Sequence, residues 1–205
     1  MAHINPLHAP IYPIQHSGYS SLSGAMPAQA PLPSGRKRLP QEPYTPASKW
    51  HNSTGRSNPV EAAIYFDYKG YKRQGVSMRE LSARSVPGLF AMLEGGSDTV
   101  LAHTGLSRIT FRIKAGLFLV FLGYESANWA RSIEINTGGP ITRAGLAQAV
   151  AQNFARFIEM CRGAKSSSPQ WSIAPNNIRY EHLYLVSLFN VFEDSWQADV
   201  VVDLR

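Results

Sequence analysis

Three side chains after residue 57 could take part in catalysis: the imidazoles of His103 and His182 and the thiol of Cys161. His103 begins the run His-Thr-Gly, which can place a general base beside a hydroxyl. The same run also ends helices, with the glycine as cap and the imidazole at the negative end of the helix dipole. His182 follows Glu181, a carboxylate that can orient its ring. An enzyme using His103 or His182 is therefore one of three functional hypotheses, and no residue is assigned as catalytic.

The spacing of the residues gives little support to a metal site, a reactive thiol or a phosphate-binding loop. Two histidines and one cysteine far apart do not have the spacing of a metal site, so we predict neither a metal nor a cofactor. Cys161 falls on the apolar stripe of a predicted helix, which indicates a buried, inert thiol rather than a nucleophile. The segment LEGGSD (93–98) lacks the spacing and the lysine of a phosphate loop. GGPIT (138–142) can either bind an anion on free amides or form a turn and helix cap.

Basic residues form the main candidate binding feature. Arg108, Arg112 and Lys114 alternate along a predicted strand, so they would make a basic stripe on its wet face. Lys69, Lys72 and Arg73 could extend this stripe, and the segment GRKRLP adds Arg36, Lys37 and Arg38. Such residues can bind the phosphates of nucleic acid or an acidic protein partner. They can also be ordinary solubilising residues.

Aromatic residues near the ends of predicted elements form a second candidate. If several were exposed together they would make an apolar interaction patch. The residues concerned are Tyr65, Tyr68, Tyr71, Tyr124, Trp129, Tyr184 and Trp196.

Composition divides the 205 residues into two parts. Nine of the 14 prolines precede residue 50, and residues 1–57 carry five basic side chains against one acidic, so most of the net charge of +6 lies there. Such a segment cannot bury enough apolar surface to offset its conformational entropy. We therefore predict a disordered, basic tail over residues 1–57 and a single folded domain over residues 58–205. The hydrophobic fraction of the whole chain, 44%, suffices for a core.

The same composition excludes several protein classes. One cysteine cannot form a disulfide framework, and no apolar run reaches the roughly 18 residues of a membrane span. The N-terminus lacks the charged start and apolar block of a secretion signal. These features predict a cytoplasmic or nuclear protein.

The local patterns predict an α+β domain with a mostly antiparallel sheet packed against one long helix. The best-defined element is that helix, which begins after Thr142 as N-cap and ends at Gly163, with apolar residues recurring every three or four positions. Two short helices precede it, the first starting with a Ser77–Glu80 capping box and the second after Ser85.

Strands are predicted on both sides of the helices. A first strand or hairpin turns at Lys69-Gly70, and a strand covers residues 131–136. Arg108 to Lys114 should pair, through an Ala115-Gly116 turn, with an apolar strand from Leu117 to Leu122. A final hairpin turns at Glu193 to Ser195.

Four segments together resemble a family of hypothetical proteins from mushroom-forming fungi. They are DTVLAHTGLSRITFRI from Asp98, GYE...WARSIEI from Gly123, GPITRAGLAQAVAQNFARFIE from Gly139, and YEHLYLVSLFNVFEDSWQADV from Tyr180. The resemblance covers about Gly75 to Asp203 and excludes the tail. No function is established for that family, so it implies no activity.

The leading functional hypothesis is thus a non-enzymatic interaction or regulatory module that uses its basic arm and one sheet face to hold a protein partner. The alternative is nucleic-acid binding through the basic stripe and tail. The enzyme is the third. The oligomeric state is not predicted.

Overall fold

A computed structural model of the chain describes residues 32–41, 43–44, 61–114, 128–161, 171–174 and 176–204. These residues form one mixed sheet of seven strands and three α-helices, so the predicted α+β class with a mostly antiparallel sheet and one long helix is confirmed. The strands are β1 (Arg36–Arg38), β2 (Ile64–Tyr65), β3 (Val76–Ser77), β4 (Arg108–Lys114), β5 (Asn128–Glu134), β6 (Leu183–Phe192) and β7 (Ser195–Asp203). The helices are α1 (Met78–Ala83), α2 (Val86–Met92) and α3 (Arg143–Cys161), with 3₁₀ turns at Ala102–Thr104 and Tyr180–His182.

The centre of the sheet is the hairpin of β6 and β7, joined by the predicted turn at Glu193 and Asp194. Nearly all residues of both strands are buried, and other strands pair with the outer edge of each. The outer edge of β6 pairs with β2 and β3. The outer edge of β7 pairs with β4 in parallel at its start and with β1 in antiparallel orientation at its end.

The predicted partner of β4 was wrong. Its antiparallel partner is β5, in a register that runs from Arg108 opposite Glu134 to Lys114 opposite Asn128. The other edge of β4 is taken by β7, and a β4–β7 pairing between strands more than 80 residues apart leaves no local signal in the sequence. The connection to β5 is accordingly longer than a two-residue turn. Ala115-Gly116 and the strand predicted from Leu117 to Leu122 lie outside the described residues.

The core lies between one face of the sheet and the helices. The predicted apolar stripe of α3 is confirmed, with Phe154 and Phe157 fully enclosed against Phe111 and Trp129. The predicted N-cap is also confirmed, because Thr142 Oγ1 accepts a hydrogen bond from the Gly145 amide at 3.1 Å. Gly163, the predicted end of the helix, lies outside the described residues.

The starts of the two short helices were predicted correctly, but the capping box predicted at Ser77 is not formed. Ser77 and Ser85 stand before α1 and α2, and neither side chain makes a capping hydrogen bond. Glu80, expected to complete a capping box with Ser77, instead accepts a hydrogen bond from the Tyr68 hydroxyl and pairs with Arg84. Tertiary partners thus replace the local cap.

Residues 36–41 and 43–44, here called the N-terminal strap, run antiparallel along the outer edge of β7. The Leu39 amide donates to the Val200 carbonyl at 2.8 Å, and the Gln41 side chain donates to the Ala198 carbonyl at 2.7 Å. Buried backbone groups of a central strand must be paired, and the strap supplies these partners beyond the end of β4. The prediction of disorder to residue 57 is therefore wrong for the strap; residues 1–31 and 45–60 lie outside the described part.

Candidate anion-binding groove

The basic segment at residues 36–38 is built into the sheet rather than free in a tail. Arg36 Nε lies 3.0 Å from Asp203 Oδ2, and its guanidinium stacks 3.9 Å over the Tyr184 ring. Arg38 Nε lies 3.1 Å from Asp199 Oδ1. The side chain of Arg36 is only 11% exposed. Lys37 alternates with its neighbours and is exposed. The two arginines therefore stabilise the packing of β1 on β7, and their positive charges are already paired with aspartates.

Arg112, in the predicted basic stripe on β4, also has partners within the fold. Arg112 Nε donates to Ser195 Oγ at 3.1 Å, and its guanidinium stacks 3.9 Å from the Tyr44 ring of the strap. Lys114 is half-buried, and Arg108 alone is exposed. The stripe does lie on the same sheet face as Arg36 and Arg38. The aspartates of β7 stand among these cations, so the face is mixed in charge rather than basic.

Lys72 and Arg73 lie in the turn before β3, and two strands, β6 and β7, separate that edge of the sheet from β4. Arg73 stacks 3.5 Å over the Tyr65 ring. The structure thus does not join these two residues to the β4 stripe, as the sequence had suggested.

The three candidate catalytic side chains lie apart from each other. His103 is 67% exposed, pairs with Glu61 at 2.8 Å, and precedes Gly105, which caps the 3₁₀ turn with a φ of 67° as the helix-end interpretation requires. Cys161 is buried as predicted, and burial raises the pKa of its thiol to about 12. His182 lines a cleft.

Two open clefts adjoin at His182 and α1. The first has a volume of about 580 Å³ and is lined by Arg79, Arg179, Glu181, His182, Tyr184 and Asp203. The second has a volume of about 520 Å³ and is lined by Ser77, Arg79, Glu80, Ala83, Arg84, Glu181 and Tyr184. Because they share Arg79, Glu181 and Tyr184, we treat them as one surface, the Arg79 groove.

The walls of the groove are tied together by backbone pairing and by one tyrosine. Ser77 of β3 pairs with Tyr184 of β6, which places the first turn of α1 and Arg79 beside the Tyr184 ring. The Tyr180 hydroxyl lies 2.9 Å from the Met78 carbonyl and 2.8 Å from the Ala151 carbonyl. Burial raises the pKa of Tyr180 to about 12, so the phenol stays neutral and can donate. The 3₁₀ turn that carries His182 is thereby fixed to α1 and α3.

The three arginines and three carboxylates that line the groove do not all pair with one another, because Arg36, from outside the lining, pairs with one of the carboxylates. Each of the three carboxylates is paired with an arginine: Glu80 with Arg84 at 3.3 Å, Glu181 with Arg179 at 3.2 Å, and Asp203 with Arg36 at 3.0 Å. Arg79 is exposed and forms no hydrogen bond or ion pair with any residue in the described part of the chain. One guanidinium therefore remains available to a ligand.

His182 adds an aromatic, polar surface to this cation. Its Nδ1 accepts the Arg179 amide at 3.3 Å, and its Nε2 lies 3.2 Å from an Arg179 guanidinium nitrogen. The Arg179 amide therefore holds the ring, and no carboxylate of the described residues forms a hydrogen bond with it. The expectation that Glu181 orients His182 is replaced by this contact, because the carboxylate of Glu181 pairs with the guanidinium of Arg179.

Sequence reasoning identified Glu181, His182 and Tyr184 but missed Arg79 and Arg179. Nothing local marks Arg79, because it reaches the others only through the pairing of β3 with β6, and one sequence does not contain that long-range register. Arg179 stands three residues before His182, so it was missed although it is a local neighbour.

The candidate apolar patch is not formed by the residues that were proposed for it. Trp129 and Trp196 belong to the core, and Tyr124 lies outside the described residues. Among the described residues, the exposed large hydrophobic side chains are Tyr71, Met160 and Leu204, on three different segments.

The described residues contain no group of three or more His, Cys, Asp or Glu side chains placed to hold a metal ion. None of the helices they form is both long and apolar enough to cross a membrane.

Comparison of the chain with protein-family models, curated proteins and solved structures finds no match. The resemblance to the fungal family stays a prediction, and the function must be inferred from the groove itself.

Proposed function

We propose that this chain is a binding module that holds an acidic segment of a protein partner in the Arg79 groove. The observation that carries the proposal is the charge balance: every carboxylate of the groove already has an arginine, and Arg79 has no partner among the described residues. An arginine fits a carboxylate well, because its planar fork can donate two parallel hydrogen bonds.

A protein carboxylate suits this groove better than nucleic acid does. Glu80, Glu181 and Asp203 line the groove, so a chain of phosphates laid through it would pass three acidic side chains. Nucleic-acid surfaces concentrate their positive charge in a patch or stripe. Here the basic residues predicted for that role, Arg36, Arg38 and Arg112, are ion-paired or hydrogen-bonded.

A selection from random peptides tests the proposal. The immobilised full chain is panned against a phage-displayed random peptide library at 150 mM NaCl. We expect enrichment of peptides that contain Asp or Glu, and loss of that enrichment with Arg79→Glu. Arg156→Glu is the matched control, because Arg156 is an exposed cation on α3 and has no partner in the described part. Circular dichroism checks that both variants fold.

A second measurement tests the alternative function, nucleic-acid binding. Binding of a labelled single-stranded DNA is followed by fluorescence anisotropy at increasing salt. Steeply salt-dependent binding that Arg108→Glu abolishes and Arg79→Glu leaves unchanged would favour nucleic acid. Selected peptides without acidic residues, or equal enrichment by the Arg79→Glu and Arg156→Glu variants, would refute the proposal.

A further inference from the structure

We infer that the partner segment is extended and carries, about four residues from its acidic side chain, a large apolar or aromatic side chain that binds beside Tyr71. This inference rests on the proposed function and specifies its ligand. It assigns a second binding position, one that the charge balance of the Arg79 groove does not indicate.

The second position is a third cleft, with a volume of about 410 Å³. It is lined by Arg36, Tyr68, Lys69, Tyr71, Gln74, Gly75 and Met92. Tyr71 is 59% exposed, the largest exposure among the large hydrophobic side chains of the described residues. Aromatic residues at the edge of a cleft are frequent centres of binding energy, because they offer a large rigid surface with a polar tip.

Arg36 separates the third cleft from the Arg79 groove. On one side its guanidinium contacts Tyr184 and Asp203, which line the groove. On the other side it donates to the Gln74 carbonyl at 2.6 Å, and Gln74 lines the third cleft. One fixed side chain is therefore the partition between two binding positions. A ligand that crosses it occupies both.

Tyr68 provides a second rigid link between the two positions. It lines the third cleft, while its hydroxyl donates to Glu80, which lines the Arg79 groove. Burial and this bond to Glu80 raise the pKa of Tyr68. The bond stays formed at neutral pH, so the distance between the clefts is set by the fold and does not depend on the ligand.

The floor of the third cleft also depends on a glycine. Gly75 has a φ of 73°, and a Cβ at this position would lie 2.9 Å from the Leu185 carbonyl oxygen and 3.0 Å from Val186 Cγ2. The chain before β3 can therefore lie directly against β6, with no side chain filling the cleft at this point.

The separation of the two positions follows from the chain between them. Gln74 to Ser77 spans three residues approaching and entering β3, and Ser77 to Arg79 spans two residues at the start of α1. At about 3.3 Å per extended residue and about 1.5 Å per helical residue, this length of chain holds the backbones of Gln74 and Arg79 no more than about 13 Å apart. An extended peptide covers that distance in about four residues.

Defined peptides test the spacing. Three fluorescein-labelled peptides in a Gly/Ser background carry one Glu and one Phe separated by one, four or nine positions, and their binding to the full chain is measured by anisotropy. We expect the four-position peptide to bind at least about fivefold more tightly than the other two. Tyr71→Ser should weaken that peptide by about tenfold, Tyr71→Phe should retain its affinity, and Met160→Ser, at another exposed apolar residue, should have no effect.

The outcomes separate the two proposals. If acidic peptides bind through Arg79 but neither the spacing nor Tyr71→Ser changes their affinity, the second position is refuted and the proposed function stands. If peptide binding is also insensitive to Arg79→Glu, both are refuted. A selective effect of Tyr71→Ser on the Phe-containing peptide, absent when Phe is replaced by Gly, supports the second position.

Discussion

Replacing Tyr180 with phenylalanine should destabilise the domain, because one hydroxyl joins three of its elements. That hydroxyl belongs to the 3₁₀ turn before β6 and reaches Ser82 and the Met78 carbonyl of α1 and the Ala151 carbonyl of α3. The side chain is otherwise unchanged in shape, so Tyr180→Phe removes hydrogen bonds without opening a large cavity.

The size of the stability loss follows from the number of hydrogen bonds that the phenol can form. The phenol has one hydrogen, which it donates to one carbonyl at a time, and its oxygen can accept the Ser82 hydroxyl. Two hydrogen bonds are thus lost, each contributing about 1 kcal/mol, and one buried carbonyl is left less well satisfied. The freed Ser82 hydroxyl can recover part of this loss by bonding to the carbonyl four residues earlier, at Met78. We expect a free energy of unfolding lower by about 1–3 kcal/mol, which corresponds to about 2–4 °C in Tm per kcal/mol for a chain of this size.

Urea unfolding followed by tryptophan fluorescence measures this change, with an unchanged m-value showing that the folded state stays compact. Tyr71→Phe is the matched control, because Tyr71 is exposed and its hydroxyl has no hydrogen bond within the described residues. The control should stay within about 0.5 kcal/mol of the unchanged chain. An equal loss in both variants, or no loss in Tyr180→Phe, would refute the assigned role of Tyr180.

Three further predictions concern the core, the thiol and the strap. Phe154→Ala should lower the free energy of unfolding by about 3–5 kcal/mol in urea titrations, because the side chain is fully buried between two aromatic rings, whereas exposed Met160→Ala should change it by less than about 0.5 kcal/mol. The raised pKa of Cys161 means that its stabilising effect is complete below pH 9 and is lost as pH rises from 9 towards 12. Stability measured at pH 8 and 10.5 should therefore fall by about 2 kcal/mol, and Cys161→Ala should lose less over that interval; an identical fall would contradict the assignment. Arg36→Ala should cost about 1–3 kcal/mol by removing the ion pair to β7, while the exposed neighbour in Lys37→Ala should be nearly silent in the same titration; equal losses would contradict it.

The elements that the sequence predicted well are those whose signals are local. The apolar stripe and Thr142 cap of α3, the two short helices and the turn at Glu193 each depend on residues within a few positions of one another. Hydrophobic periodicity and turn chemistry are enough for such elements.

The errors arose where a distant partner decided the outcome. Arg36 pairs with Asp203, 167 residues later, and no local pattern shows that a proline-rich segment will complete the edge of β7. Glu80 had the spacing of a capping box, yet the Tyr68 hydroxyl and Arg84 compete for its carboxylate. β4 had the pattern of a hairpin strand, but β7 and β5 occupy its two edges.

The same reasoning explains why charge counts in the sequence overstate the unpaired positive charge of the folded surface. Basic residues that are close together in sequence, such as Arg36 and Arg38, are conspicuous, but the aspartates of β7 lie opposite them and neutralise them. Ligands bind to cations that the fold leaves without a partner. In the described part of the chain, Arg79 is such a cation within a cleft, and it stands in an ordinary helix start beside Glu80. If Asp199, which lies outside the groove and pairs with Arg38, were replaced by asparagine, the outer sheet face would gain part of the positive charge that its sequence suggests. We would then expect DNA binding to appear at low salt without any change at Arg79, which separates the basic face from the groove as two independent surfaces.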